Sequence, residues 1–140
     1  MANVIVVGVD GTDTSRHAAR RAAELAVRLG ADLHVLTAAD KAMVEEFPDR
    51  PGASLLTSGE LAEAVASEVA DELRATAPSV TSSPLQGKPA TALVDEATRL
   101  GAAVIVVGNR RVQGVGRLLG SVASGVAAHA PCDVYIVKTI

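Results

Sequence analysis

A segment rich in glycine and arginine, between Gly108 and Ser121, has the residue types best suited to binding an anion. It follows the aliphatic run Val104 to Val107, which is typical of a buried parallel strand, and it precedes a helix of small residues. It contains no acidic residue. Its glycines and arginines are Arg110, Arg111, Gly114, Gly116, Arg117 and Gly120. Since backbone N–H groups of such a turn and the positive end of the following helix point into one space, the segment predicts a phosphate or nucleotide site.

Gly120 and Ser121 stand where the last helix is expected to begin. Gly120 would let the backbone approach a phosphate closely, and Ser121 would act as the N-cap residue, offering its hydroxyl and the first free helical N–H groups. A second interpretation remains open, in which the segment is a flexible connection whose glycines only satisfy turn geometry. It is not a dinucleotide-binding fingerprint, because its third glycine comes one place late and it does not follow the first strand.

Asp10 closes the first predicted strand, beside the place where the fourth strand is expected to end. A carboxylate there could accept a hydrogen bond from a ribose or a base, or help to hold Mg²⁺. The same residue types also serve helix capping. Asp10 and Thr12 could therefore simply form the turn and cap the first helix. The sequence leaves both interpretations open.

Residues for other chemistry are sparse, and we predict no catalytic residue and no metal site. The three histidines, His17, His34 and His129, are scattered without the spacing of metal ligands. No Ser–His–acid arrangement is recognisable along the chain. Cys132, the single cysteine, is interpreted as a small buried hydrophobic residue rather than a nucleophile, because no partner base is evident.

The composition narrows the class of protein. The 140 residues fit one domain, 1–140, with 49% apolar residues but only two aromatic ones, Phe47 and Tyr135. Stacking on aromatic side chains is thus almost unavailable, and the net charge is −3, so we expect no nucleic-acid partner and no membrane association. No apolar run is long enough to span a bilayer, and the N-terminus does not resemble a signal peptide. We therefore expect a cytoplasmic protein.

Strand and helix patterns alternate along the chain. An alternation of this kind predicts an α/β fold, a parallel sheet with helices on both faces, with ligands at the carboxyl ends of its strands. Residues 39–56 fit neither pattern and are interpreted as a surface loop. The predicted strands are Asn3–Val9, Leu33–Ala38, Val80–Gln86, Ala103–Val107 and Asp133–Ile140. The predicted helices begin near Asp13, at the capping box of Thr57 to Glu60, at Pro89 and at Ser121.

Several motifs together resemble the universal stress protein family over nearly the whole chain. They are Val6-Val7-Gly8-Val9-Asp10-Gly11-Thr12, Gly30-Ala31-Asp32-Leu33-His34-Val35-Leu36, Gly87-Lys88-Pro89-Ala90, Leu118-Leu119-Gly120-Ser121-Val122-Ala123 and His129-Ala130-Pro131-Cys132. The resemblance implies a Rossmann-like, doubly wound, five-stranded parallel sheet of order 3-2-1-4-5. It also implies a homodimer formed through the last strand, from Val134 to Ile140.

The resemblance also implies a function, a stress-response regulator that binds an adenine nucleotide at the ends of strands 1 and 4. The ligand would be ATP, with Mg²⁺, or AMP or cyclic AMP. Asp10 would face the adenine or ribose, Ala38 would lie near the base, and Gly108, Gly120, Ser121 and Val122 would hold the ribose and phosphates. The full set of implied nucleotide-binding residues is Asp10, Gly11, Thr12, Ala38, Val107, Gly108, Arg110, Arg111, Gly120, Ser121, Val122 and Ala123.

The glycine-rich segment departs from the pattern of the ATP-binding members. Arg111 stands at the second glycine position, and Gly120 follows Gly108 by 12 positions where the pattern has 13. A Cβ at a glycine position blocks close approach of a phosphate, although the Arg111 guanidinium could itself bind one. A dimeric interaction module without a nucleotide is therefore the competing hypothesis. A slow ATPase or autophosphorylation activity, with Ser121 or Thr12 as acceptor, is the third, and no positioned general base supports it.

Overall fold

The computed structural model describes residues 3–40, 58–110 and 119–139, and in them five strands form one parallel sheet. The strands are β1 (Val4–Gly8), β2 (Asp32–Ala39), β3 (Val80–Gln86), β4 (Val104–Arg110) and β5 (Asp133–Thr139). Their order is β3-β2-β1-β4-β5, and all four pairings are parallel. The strand order and the Rossmann-like α/β class implied by the resemblance are confirmed.

Four helices within the described residues cover the two faces of the sheet. They are α1 (Asp13–Leu29), α2 (Ser58–Leu73), α3 (Pro89–Leu100) and α4 (Ser121–His129). Side chains alternate between the faces, so Ile5 and Val7 of β1 pack beneath α1 and α2, whereas Val6 packs beneath α3 and α4. Alanines line the buried face of α1 and let this helix lie close to the sheet, whereas the buried face of α2 combines leucine, valine and alanine. None of the described helices is long and apolar enough to cross a membrane.

Two helix ends match the sequence signals closely. Gly30 and Gly101 follow α1 and α3 in the left-handed conformation, with φ of 62° and 63°, and their N–H groups bond the last helical carbonyls. Only glycine adopts this conformation without strain, which explains why these two helices end where they do. Pro89 occupies the first turn of α3, where its missing N–H costs nothing.

The fourth strand is longer than the sequence predicts. We expected it to end at Val107, but β4 continues through Gly108 and Asn109 to Arg110, because these residues pair in register with Val137, Lys138 and Thr139 of β5. Gly108 is therefore part of the sheet rather than the first residue of the loop. Arg111, most of the predicted 39–56 loop, Thr57 and Ile140 lie outside the described residues.

Candidate functional site

The chain leaves β1 and β4 in opposite directions across the sheet, and this creates a switch point. From β1 it crosses through α1 to β2 on one side, and from β4 it crosses through α4 to β5 on the other. Since β1 and β4 are neighbours, ligands are expected at the carboxyl ends of these two strands. The N-terminal ends of α1 and α4 both follow these strand ends.

Asp10, Gly11 and Thr12 form the turn that connects β1 to α1. Asp10 Oδ1 accepts hydrogen bonds from the N–H and the hydroxyl of Thr12, at 3.0 and 2.6 Å. Thr12 is the N-cap of α1, and its Oγ1 accepts from the N–H of Ser15 at 3.3 Å. Gly11 has φ of 87°, which a side chain would strain. Asp10 and Thr12 therefore do form the turn and cap that the sequence left open as an alternative.

The start of α4 differs from the prediction. Gly120, with φ of −65° and ψ of 166°, is the N-cap, and Ser121 is the first residue of the helix itself. Because the backbone of Ser121 is already helical, Ser121 is not the N-cap residue. Gly120 has no side chain, so α4 has no side-chain cap bond. The first N–H groups of α4, those of Ser121, Val122 and Ala123, have no partner within the helix.

Asn109 belongs to the site, although the sequence analysis did not select it. Its Oδ1 accepts a hydrogen bond from the N–H of Gly120 at 2.8 Å, and this bond joins the end of β4 to the beginning of α4. Asparagine is a favoured residue for bonding backbone N–H groups near helix starts. An asparagine directly before the arginine pair was therefore the available signal. The bond fixes the N-terminus of α4 against the end of β4.

The other predicted site residues divide into two groups. Val107 and Ala123 are buried in the core beneath α3 and α4, so only their backbones can face a ligand. Ala38 is half-buried near the end of β2, and Gly108 and Arg110 stand in the last part of β4. The residues that the fold brings to the switch point are thus Asp10, Gly11 and Thr12 from one connection and Gly108, Asn109, Gly120 and Ser121 from the other.

A second polar cluster lies away from the switch point, and we call its members His34, Thr81, Ser83, Glu96 and Arg99 the His34 cluster. His34 Nδ1 is 2.7 Å from Thr81 Oγ1, and His34 Nε2 is 2.8 Å from Ser83 Oγ. Glu96 Oε2 is 3.4 Å from both His34 Nε2 and Ser83 Oγ, and Arg99 donates to Glu96 Oε1. Glu96 is only 2% exposed.

This cluster places a serine, a histidine and an acidic residue close together, although the sequence shows no such arrangement. The three residues come from β2, β3 and α3, and only the register of β2 with β3 brings them together, so no sequence spacing could show them. The geometry is not that of a catalytic triad, in which the acid holds Nδ1 while Nε2 faces the serine. Here Glu96 and Ser83 lie on the same ring nitrogen, Nε2, and a threonine hydroxyl takes Nδ1.

The titrating groups outside the switch point have identifiable environments. Burial lowers the pKa of His34 most strongly, with Arg99 adding to this and Glu96 opposing it. The hydrogen bond from Arg99 is the main reason that the pKa of Glu96 lies below its usual value. Burial, together with Asp133, raises the pKa of the Cys132 thiol, which disfavours the thiolate that a nucleophile needs.

Comparison with known proteins identifies the family. The model of the universal stress protein family matches residues 1–138. The chain belongs to this family. A universal stress protein of Mycobacterium tuberculosis is 35% identical over 96% of this chain and 95% of its own length. One from Thermus aquaticus is 36% identical, covering 99% of this chain and all of its own.

Solved structures show the same relationship. A universal stress protein crystallised in complex with cAMP is 35% identical to this one. The superposition covers 99% of this chain and 98% of that one, with a TM-score of 0.75. This universal stress protein therefore has the fold of its relatives, as the resemblance implied.

Proposed function

We propose that this universal stress protein binds an adenine nucleotide at the carboxyl ends of β1 and β4. The observation that carries the proposal is the Asn109–Gly120 hydrogen bond, which holds the N-terminus of α4 at the switch point. A helix N-terminus fixed in this position is a ready-made site for a phosphate. The cAMP complex of a relative 35% identical supports an adenine nucleotide as the ligand.

The phosphate end of the ligand would lie at α4. The N–H groups of Ser121 and Val122 would donate to phosphate oxygens, with the backbone of Gly120 leaving room for their approach. Arg110 and Arg111, which follow Asn109 directly in sequence, would supply positive charge near the phosphate, although Arg111 stands where the ATP-binding pattern has a glycine. A ligand with one phosphate, AMP or cyclic AMP, needs only this helix end, whereas ATP would also need Mg²⁺ beside Asp10.

The nucleoside end would lie at the β1–α1 turn. The Asp10 carboxylate would accept a hydrogen bond from the ribose or from the adenine amino group, and Gly11 and Thr12 would line the same side. Ala38, near the end of the neighbouring β2, would pack against the base. The rigid turn holds the Asp10 carboxylate in place before any ligand arrives, so little ordering is needed on binding.

Isothermal titration with ATP, AMP and cyclic AMP tests this proposal with two variants. Asp10→Asn keeps an oxygen for the Thr12 bonds but exchanges the other carboxylate oxygen for an amide donor. Gly120→Val places a side chain at the phosphate end, at a φ of −65° that valine adopts without strain. Each variant is expected to weaken nucleotide binding about tenfold or more without lowering the melting temperature. Asp10→Asn would lose a charged hydrogen bond, and the valine at position 120 would block the approach of the phosphate.

Asp13→Asn is the matched control for the carboxylate, because Asp13 is exposed in the first turn of α1. It is expected to bind as the wild type does. The proposal would be disproved if none of the three nucleotides, at millimolar concentration, gave a heat of binding or competed with another for binding. In that case the interaction module without a nucleotide becomes the better hypothesis, and mass spectrometry of the purified protein should find no bound nucleotide.

We also propose that two copies pair through β5. In the part of the sheet that the structure describes, β5 has β4 as its one neighbour, and Tyr135, near the middle of β5, is 38% exposed. An uncovered apolar edge strand favours pairing with a second copy about a two-fold axis.

Sedimentation of Tyr135→Glu is expected to give half the mass of the wild type. Leu29→Glu, at an exposed apolar position outside β5, should leave the dimer intact, and a monomeric wild type would contradict the proposal.

A further inference from the structure

Lys138 is an exposed, positively charged residue near the end of β5, and the register of the sheet places it beside Asn109 of β4. Side chains alternate between the two faces of a strand. Val134 and Ile136 of β5 pack against the core beneath α3 and α4, whereas Val137 packs on the opposite face. Lys138 therefore lies on the face of the sheet that α4 covers.

Asn109 lies on the same face and contacts the beginning of α4. Its Oδ1 accepts a hydrogen bond from the N–H of Gly120, the N-cap residue of this helix, at 2.8 Å. Neighbouring strands are about 4.8 Å apart, and the four-carbon stem of a lysine is long enough to span that distance. The Lys138 ammonium can therefore reach the space in front of the α4 N-terminus, which is the phosphate end of the proposed nucleotide site.

The acidic residues on the described elements next to Lys138 lie at a distance from it. α4 contains no acidic residue, and its His129 is in the last turn. Asp133 of β5 stands at the other end of the strand, on the opposite face. The Asp10 carboxylate follows β1, which β4 separates from β5, and it bonds Thr12 of its own turn. The charge of Lys138 and the positive end of α4 thus act together on one space.

We propose that Lys138 binds the phosphate and makes the site favour nucleotides whose phosphate is doubly charged. This inference rests on the nucleotide site proposed at the ends of β1 and β4. The N–H groups of α4 attract any anion, whereas a full positive charge adds an attraction that grows with the charge of the phosphate. AMP has a phosphate monoester with a charge close to −2 at pH 7, and cyclic AMP has a diester with one negative charge. AMP should therefore gain more from Lys138 than cyclic AMP does.

The position of Lys138 on a strand favours this role. Its backbone is fixed by the pairing of β5 with β4, so only the side chain needs to be ordered when a ligand binds. A lysine at the protein surface also contributes to solubility without binding any ligand, and that contribution does not depend on what the site holds. The two roles are separated by comparing ligands that differ only in the charge of the phosphate.

Isothermal titration of the wild type and of Lys138→Gln with adenosine, cyclic AMP and AMP tests the proposal. The variant is expected to bind AMP about tenfold more weakly, the size of one charged hydrogen bond, and cyclic AMP about threefold more weakly. Adenosine, which has no phosphate, should bind both proteins equally. Raising the salt concentration should weaken AMP binding by the wild type more than by the variant.

Arg20→Gln is the matched control, because Arg20 is exposed on α1 and its loss changes the net charge by the same amount. This control variant should bind AMP as the wild type does. Lys138→Arg keeps the positive charge and should retain most of the affinity for AMP. Both Lys138 variants are expected to melt at the temperature of the wild type, because the side chain is exposed.

Acetylation of the wild type with acetic anhydride keeps the test independent of any variant. At equal occupancy of the site, AMP should slow the modification of Lys138 several-fold more than adenosine does, as measured by mass spectrometry of peptides. The proposal is overturned if Lys138→Gln binds AMP as tightly as the wild type, if it loses affinity for adenosine and AMP alike, or if AMP leaves Lys138 fully reactive. A wild type that binds no AMP would instead overturn the nucleotide site itself, and this inference with it.

Discussion

Replacing Ile105 with alanine is expected to lower the free energy of unfolding by about 2–5 kcal/mol, the range for truncating a large aliphatic residue in a closed core. Ile105 is fully buried on β4, in register with Val6 of β1 and Val134 of β5, and it packs beneath α3 and α4. Because neighbouring strands lie on both sides of Ile105 and helices lie above it, these elements could move little to fill the cavity that the alanine would leave. Because domains of this kind are stable by about 5–15 kcal/mol, the loss would be a large fraction of the total.

Urea denaturation followed by circular dichroism measures the effect. Val27→Ala is the matched control, since Val27 is also aliphatic but is 50% exposed on α1, and its truncation should cost about 0.5 kcal/mol or less. A loss below about 1 kcal/mol for Ile105→Ala would contradict the tight packing of this face.

Gly125→Val is expected to destabilise the protein by about 1–3 kcal/mol, the usual cost of overpacking. A Cβ at Gly125 of α4 would lie 2.8 Å from the Cβ of Ala90 on α3, well inside the contact distance of about 3.5–4.0 Å. Glycine within a helix ordinarily costs about 0.5–1 kcal/mol relative to alanine, so helix propensity alone predicts the opposite sign. The helices must separate to admit the side chain, and the displacement should carry the N-terminus of α4 away from Asn109 and weaken nucleotide binding.

Two further variants isolate the contact between the helices. Ala127→Val introduces the same side chain on an exposed face of α4 and should change stability by less than about 0.5 kcal/mol. Ala90→Gly combined with Gly125→Ala moves the methyl group from one helix to the other and should recover stability relative to Gly125→Ala alone. If Gly125→Ala proved as stable as the wild type or more so, the close approach of α3 and α4 would be refuted.

The fold could be predicted from the sequence because its signals are local. Apolar runs predicted most of the strands, and a weaker alternating pattern predicted β3. Gly30, Pro89 and Gly101 marked helix ends through backbone conformations that favour those residues. The family motifs then implied the strand order. The end of β4 could not be predicted, because Gly108 and Asn109 are in the strand only through pairing with β5, about 30 residues away in sequence.

The sequence by itself determined the family, the alternation of strands and helices, and the two connections, at Asp10 and at Gly120, that flank the proposed nucleotide site. Only the tertiary structure decided how individual side chains are used. In it the Asp10 carboxylate bonds Thr12, the N-cap residue of α1, and Gly120 rather than Ser121 is the N-cap of α4. Asn109 bonds the beginning of that helix. The tertiary structure also assembled His34, Ser83 and Glu96 from three elements. Each of these side-chain roles depends on hydrogen bonds whose geometry is fixed by helix packing and strand register. Neither can be read from the spacing of residues along the sequence.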